Sequence, residues 1–174
     1  MYTHTHTLGS ACIIVFLPLG KRARDVRLLC RGRRISAMAM ITAHGLLDVH
    51  CTTDSVDEEV FCDAIERKLL PHLMPFDGIN PQSVVVLDNC SIHHTRRATE
   101  LIQSTGALVH FLPPYSPDLS PVEELFSKVK VCLRENDRYI ELSDDRTLLD
   151  LVYAAFSVVT SDDCLSWFVD CGYT

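Results

Sequence analysis

Apolar and polar positions along this chain alternate between two periods, and the changes of period mark its elements. Ile35 to Ala43 (ISAMAMITA) and Leu46 to Thr52 read as strands, with His44-Gly45 as the tight turn between them. Ser55 then precedes DEEVFCDAIERKLLPHL. Acids fill its first turn, as a helix dipole favours, and Val60, Phe61, Ala64, Ile65 and Leu69 form a helical apolar stripe. Pro75 to Pro81 reads as a loop, and Ser83 to Leu87 (SVVVL) as a strand buried on both faces. Thr95 to Ser104 is helical and stops at Gly106, and Ala107 to Leu112 is another strand. Four prolines fall between Pro113 and Pro121, a rigid segment that cannot continue a ladder. Val122 to Arg134 is an amphipathic helix, followed by helices near Asp145 to Val159 and Asp163 to Cys171.

Upstream, Ala11 to Leu17 is apolar and rich in strand formers, so a buried strand is expected there. A hairpin followed by alternating helices and strands predicts an α/β fold with a mixed sheet flanked by helices.

At 174 residues, 47% hydrophobic and 22% charged, the chain has globular composition and enough length to bury a core. Its longest apolar run, Ala11 to Leu19, is too short to span a membrane. No basic segment precedes that run and no small-residue cleavage site follows it, so secretion is not expected. The eight cysteines, at 12, 30, 51, 62, 90, 132, 164 and 171, form no C-x-x-C pair, and reduced, buried thiols are expected. Asn89-Cys90-Ser91 is formally a glycosylation sequon, a triplet common by chance.

The net charge of −7 argues against a simple electrostatic nucleic-acid binder. It conceals an asymmetry. Lys21, Arg22, Arg24, Arg27, Arg31, Arg33 and Arg34 lie within residues 21–34 beside a single acid, Asp25. That run is either a solvated loop or a surface that contacts phosphates or signals nuclear import.

Two acids are placed for chemistry. Asp88 ends a predicted buried strand, the end at which α/β sheets bind ligands. Glu123 sits in the first turn of the helix after the proline segment, 34 residues intervening. Brought together, two carboxylates bind Mg²⁺, a hard cation that prefers oxygen. Taken singly, the Asp is a helix cap or Asx turn, and the Glu a complement to the helix dipole. Cys90-Ser91-Ile92-His93-His94 with His110 hints at zinc, but the spacing fits no closed four-ligand site. Neither a G-x-S-x-G elbow nor a P-loop is present.

The segments LDNCSIHHT and FLPPYSPDLSPVEELFSKVK resemble the catalytic core of DDE-superfamily transposases of the mariner and related bacterial insertion-sequence type. That family reads D-N-x-x-x-H after its fourth strand, matched by Asp88, Asn89 and His93. It then reads P-Y-S-P-x-x-N-P-[IV]-E, matched from Pro114 to Glu123. The resemblance continues through Lys130 and, more weakly, over about residues 20–174, reaching Cys171-Gly172-Tyr173. It implies a ribonuclease H-like fold and a two-ion Mg²⁺ or Mn²⁺ site with Asp88 and Glu123 as catalytic and metal-binding residues. Asn89 and His93 would lie near the site, His93 orienting Asp88 or a phosphate. Cleavage and joining of DNA by direct phosphoryl transfer, DNA as partner, a homodimer, and a nuclear location in a eukaryote or cytoplasmic otherwise complete the implication.

The chain departs from that pattern. The family carries a further Asp on its first strand, but no Asp or Glu precedes Asp25 here, and neither Asp25 nor Asp48 matches the missing position. Residues 1–19 do not resemble the family and are read as a separate segment that supplies a substitute first strand. The helix-turn-helix region that recognises transposon ends has no counterpart. Ser120 stands where Asn is usual, which is expected to loosen the turn before Glu123. The expectation is a truncated core with impaired activity. The alternative is a non-catalytic remnant that binds DNA or partners a full-length transposase.

Overall fold

The structure is a computed structural model that describes residues 2–7, 35–135 and 144–173. Five strands form one mixed sheet: β1 (Tyr2–Thr7), β2 (Ser36–Thr42), β3 (Gly45–Thr52), β4 (Val84–Leu87) and β5 (Leu108–Phe111). Their order across the sheet is β3-β2-β1-β4-β5. β2 runs antiparallel to both β1 and β3, while β1, β4 and β5 run parallel. The helices are α1 (Glu58–Ala64), α2 (Arg96–Gln103), α3 (Pro121–Glu135), α4 (Asp145–Phe156) and α5 (Ser161–Asp170).

The strand expected at Ala11 to Leu17 lies outside the described residues, as does the basic run 21–34. The centre of the sheet is filled instead by Tyr2–Thr7. Its composition, Tyr and alternating Thr, suits a strand by propensity although it holds no aliphatic residue.

β2 is buried along its whole length and explains the two-layer core. Side chains alternate across a sheet, so Ala37, Ala39 and Ile41 join one cluster and Met38 and Met40 the other. On the first face the cluster is completed by Val122, Leu125, Phe126 and Val129 of α3, Leu148, Val152 and Phe156 of α4, and Phe168 of α5. Phe126 is wholly buried and meets Phe156 edge-on, ring centres 6.0 Å apart. Truncating such a ring to Ala costs about 3–5 kcal/mol. The opposite face is covered by α1, the turn that follows it and α2, through Phe61, Ile65, Leu69, Ala98 and Ile102.

The helix expected after Ser55 is shorter than its stripe suggests. Asp57 caps α1 by accepting from the Val60 amide. The chain then widens into a π turn over Ile65–Leu69 and tightens into a 3₁₀ turn over Leu70–His72. Pro71 is the cause, because its nitrogen has no hydrogen to give and its ring crowds the preceding turn. The other predicted elements fall within a few residues of their expected bounds, and α4 ends at Phe156 rather than Val159.

Six cysteines are described, all of them free thiols. Cys51, Cys62 and Cys164 are buried, but Cys90 is exposed, contrary to the uniform burial expected. No described helix is long and apolar enough to cross a membrane.

Candidate functional site

β4 delivers Asp88 to the carboxyl end of the sheet. Val85, Val86 and Leu87 before it are buried, so the strand cannot slide without exposing them. β5 runs alongside, and the Leu112 amide donates to the Leu87 carbonyl at 2.8 Å, which fixes where the proline segment leaves the sheet. Pro113 to Pro117 then crosses toward α3. A 3₁₀ turn over Pro117–Leu119 leads into that helix, with Pro121 at its first position. Proline there forfeits no helical hydrogen bond and presets φ.

The Ser120 turn is closed rather than loosened. Ser120 is buried, its amide donates to the Pro117 carbonyl at 3.0 Å, and its carbonyl accepts from the Glu123 amide at 3.0 Å. From the far end of the chain the Tyr173 hydroxyl donates to the Leu119 carbonyl at 2.9 Å, while its ring meets Phe168 edge-on. The proline segment is thus anchored at both ends. Tyr173's part in this is a contact across 54 residues that no local pattern announces.

The outcome is one cleft of about 380 Å³ lined by Asp88, Asn89, Cys90, Leu112, residues 113–117, Ser120 and Glu123. Asp88 and Glu123, 34 residues apart in the chain, therefore share a cavity.

Asp88 is held from behind. Nδ1 of His93, whose side chain is wholly buried, is paired with Asp88 Oδ1. The same oxygen accepts from the Cys90 amide at 3.1 Å, so the Asx-turn reading of a strand-end Asp is also realised. The His93 ring is stacked on Phe61, centres 4.6 Å apart, which ties Asp88 to the core on the α1 face. Asn89 is exposed in the cleft, and its Oδ1 accepts from Nε2 of His94 at 2.6 Å. His94 in turn stacks on Phe111, centres 4.0 Å apart. These histidines are committed to packing and positioning, and no group of three or more His, Cys, Asp or Glu able to hold a metal gathers among the described residues. His110 lies on β5 opposite Val86.

The backbone register also shows which position of β1 lies level with Asp88. Thr3 of β1 pairs with Leu87 of β4, so one step further along parallel strands His4 is level with Asp88. His4 pairs with Ala39 on the other side, a residue of the α3-facing cluster. Position 4 is therefore the β1 position level with Asp88, and the sequence of β1 contains no acid.

Two carboxylates suit one hard cation in kind, since Mg²⁺ is commonly held by one or two carboxylates together with water and substrate phosphate. Among the described residues these two alone fall short of a two-ion arrangement, which needs more oxygen donors.

A mixed sheet in this order, helices on both faces and an acid at the end of the fourth strand make a ribonuclease H-like domain. The model of the DDE superfamily endonucleases matches residues 13–145, and the chain belongs to that family. No curated protein matches it. Among solved structures it is similar to the Mos1 mariner paired end complex with Mn, at 15% identity and TM-score 0.55, over 99% of this chain and 56% of that one. It is likewise similar to the Mos1 transposase paired-end complex with left transposon end, at 15% identity and TM-score 0.54, over 98% and 54%. The mariner Mos1 paired end complex with Mg aligns at 16% identity and TM-score 0.51, over 99% and 55%. These likenesses concern the fold, and the chain spans about half the length of those proteins.

Proposed function

We propose that this chain is a transposase catalytic core that handles DNA through divalent-cation-assisted phosphoryl transfer, weakened by the lack of an acid on β1. The observation that carries the reading is the shared cleft of Asp88 and Glu123. In it, Asp88 and Glu123 would hold Mg²⁺ or Mn²⁺, the ion that when bound neutralises phosphate charge and activates an attacking oxygen. Asp88 keeps its orientation through His93 and the Cys90 amide. Glu123 sits at the start of α3, where the helix dipole favours anions, a phosphate included. The proline segment keeps the wall between them rigid. Residues 21–34 supply phosphate contacts without sequence readout, and their binding weakens steeply with salt. A homodimer, and a nuclear site of action in a eukaryote, complete the proposal.

The test is a calorimetric Mn²⁺ titration with and without a short DNA duplex, alongside a strand-cleavage assay. We expect Mn²⁺ binding that is lost in Asp88→Asn and in Glu123→Gln, with slow cleavage at most. Mn²⁺ affinity unchanged in the double variant refutes the site. Fast cleavage by the natural chain, abolished by Asp88→Ala, refutes the weakening. The β1 sequence also favours a second reading, a non-catalytic core that binds DNA or pairs with an intact transposase. DNA binding that persists without any cation dependence selects it.

A further inference from the structure

We propose that Tyr115 is a stacking platform for an unpaired nucleobase at the mouth of the Asp88–Glu123 cleft. The inference rests on the reading of that cleft as a DNA site.

Tyr115 is a wall residue of the cleft and, among the described residues, the one aromatic that lines it. Its ring is fully exposed, at 102% of the reference area, so folding buries none of it. Its backbone is left-handed, with φ 58°. That conformation is uncommon for a residue other than Gly, Asn or Asp and is strained for a bulky one. The fold thus keeps an aromatic where a smaller residue would sit more easily, and gains no packing from it. Nor is the position loose. Pro113 and Pro114 precede it, Ser116 donates from Oγ to the Pro114 carbonyl at 3.5 Å, and the Tyr173–Leu119 hydrogen bond anchors the following turn.

A solvent-facing ring on a proline-braced backbone beside two carboxylates selects a particular occupant. The ring's neighbours in the cleft are prolines and Leu112 on one hand and Asp88, Asn89 and Glu123 on the other, a mixed lining that suits a ligand with one flat face and one charged end. A nucleotide presents a flat π face to the ring and, a few ångströms away, a phosphate to a cation held by the acids. In duplex DNA the base faces are stacked on one another, so the ring can engage only a base that is frayed, flipped or at an overhang.

The test compares a DNA hairpin with a flush end to the same hairpin carrying a three-nucleotide overhang, in Mn²⁺, with the full chain. We expect the overhang to bind more tightly. Tyr115→Ala should lose about 5- to 150-fold for the overhang, the range for removing one base–aromatic stack, and nothing for the flush hairpin. Tyr115→Phe and Tyr115→Trp should retain the preference. Tyr115→Gly relieves the left-handed strain, so its melting temperature should be equal or higher while the preference disappears. A 5-iodouracil in the overhang should photocrosslink to residue 115. Equal affinity of Tyr115→Gly and the natural chain for the overhang, or crosslinking elsewhere only, overturns the stacking. Loss of binding to both hairpins by the natural chain overturns the DNA reading as well, whereas retained flush binding without overhang preference overturns the stacking alone.

Discussion

The buried imidazole of His93 stands against the carboxylate of Asp88, Nδ1 to Oδ1, and so couples the cleft to the core beneath it. One side of the ring is stacked on Phe61 of α1, and the other element it serves is the end of β4. Removing it has two separable consequences. His93→Ala leaves a hole beside Phe61 and should cost about 2–4 kcal/mol in denaturant unfolding. It also leaves Asp88 without its orienting partner, and Mn²⁺ affinity should fall about 10- to 100-fold, the usual effect of losing such support. His93→Asn, which can still donate near the same point, should recover more affinity than stability.

Position 4 tests whether a third acid would complete the site. The Thr3–Leu87 register puts it level with Asp88. His4→Asp should raise Mn²⁺ affinity about tenfold by adding an oxygen donor. The gain should vanish when Asp88→Asn is added, since the two residues then no longer share an ion. An additive effect of the two changes contradicts the register argument.

Acid stability should depend on Asp163. Lys128, first, and then the amide and hydroxyl of Thr160 hold its carboxyl down to about 2 from an ordinary 3.8. Its Oδ2 accepts from all three, at 2.8 Å from both Thr160 atoms, and ties α5 to Lys128 of α3. A lowered folded value means the contribution is complete above the unfolded value and is lost as pH falls through the folded one. Stability should therefore decline between about pH 4 and pH 2. Asp163→Asn should cost about 1 kcal/mol at pH 7, the pair being partly solvated, and should flatten that decline.

Thiol labelling should separate the described cysteines. Burial pushes Cys51 up to about 12, against a small opposing effect of the Tyr153 hydroxyl, so it stays protonated and enclosed. Cys90 is exposed at the cleft. Iodoacetamide on the native chain, read by mass spectrometry, should modify Cys90 well before Cys51, Cys62 or Cys164. Alkylation should also weaken Mn²⁺ binding, because the Cys90 amide donates to Asp88 and the adduct enters the cleft. A fully labelled Cys90 with unchanged Mn²⁺ affinity would show that the turn tolerates the adduct.

By itself the sequence determined most of the sheet's frame and singled out the two acids that the cleft brings together. β4 was legible because a strand buried on both faces must be continuously apolar, and α3 because its core stripe repeats at helical spacing. The proline segment was legible because proline removes a donor and so ends a ladder. Tertiary structure alone decided the first strand. Tyr2–Thr7 carries no aliphatic residue, so hydrophobic patterning is silent, and only its pairing with β2 and β4 identifies it. The same holds for His93 behind Asp88, His94 on Phe111 and Tyr173 against Leu119. Local patterns report on neighbours within a turn or a strand, whereas these contacts join separate elements and arise only when the sheet and both helical layers are assembled.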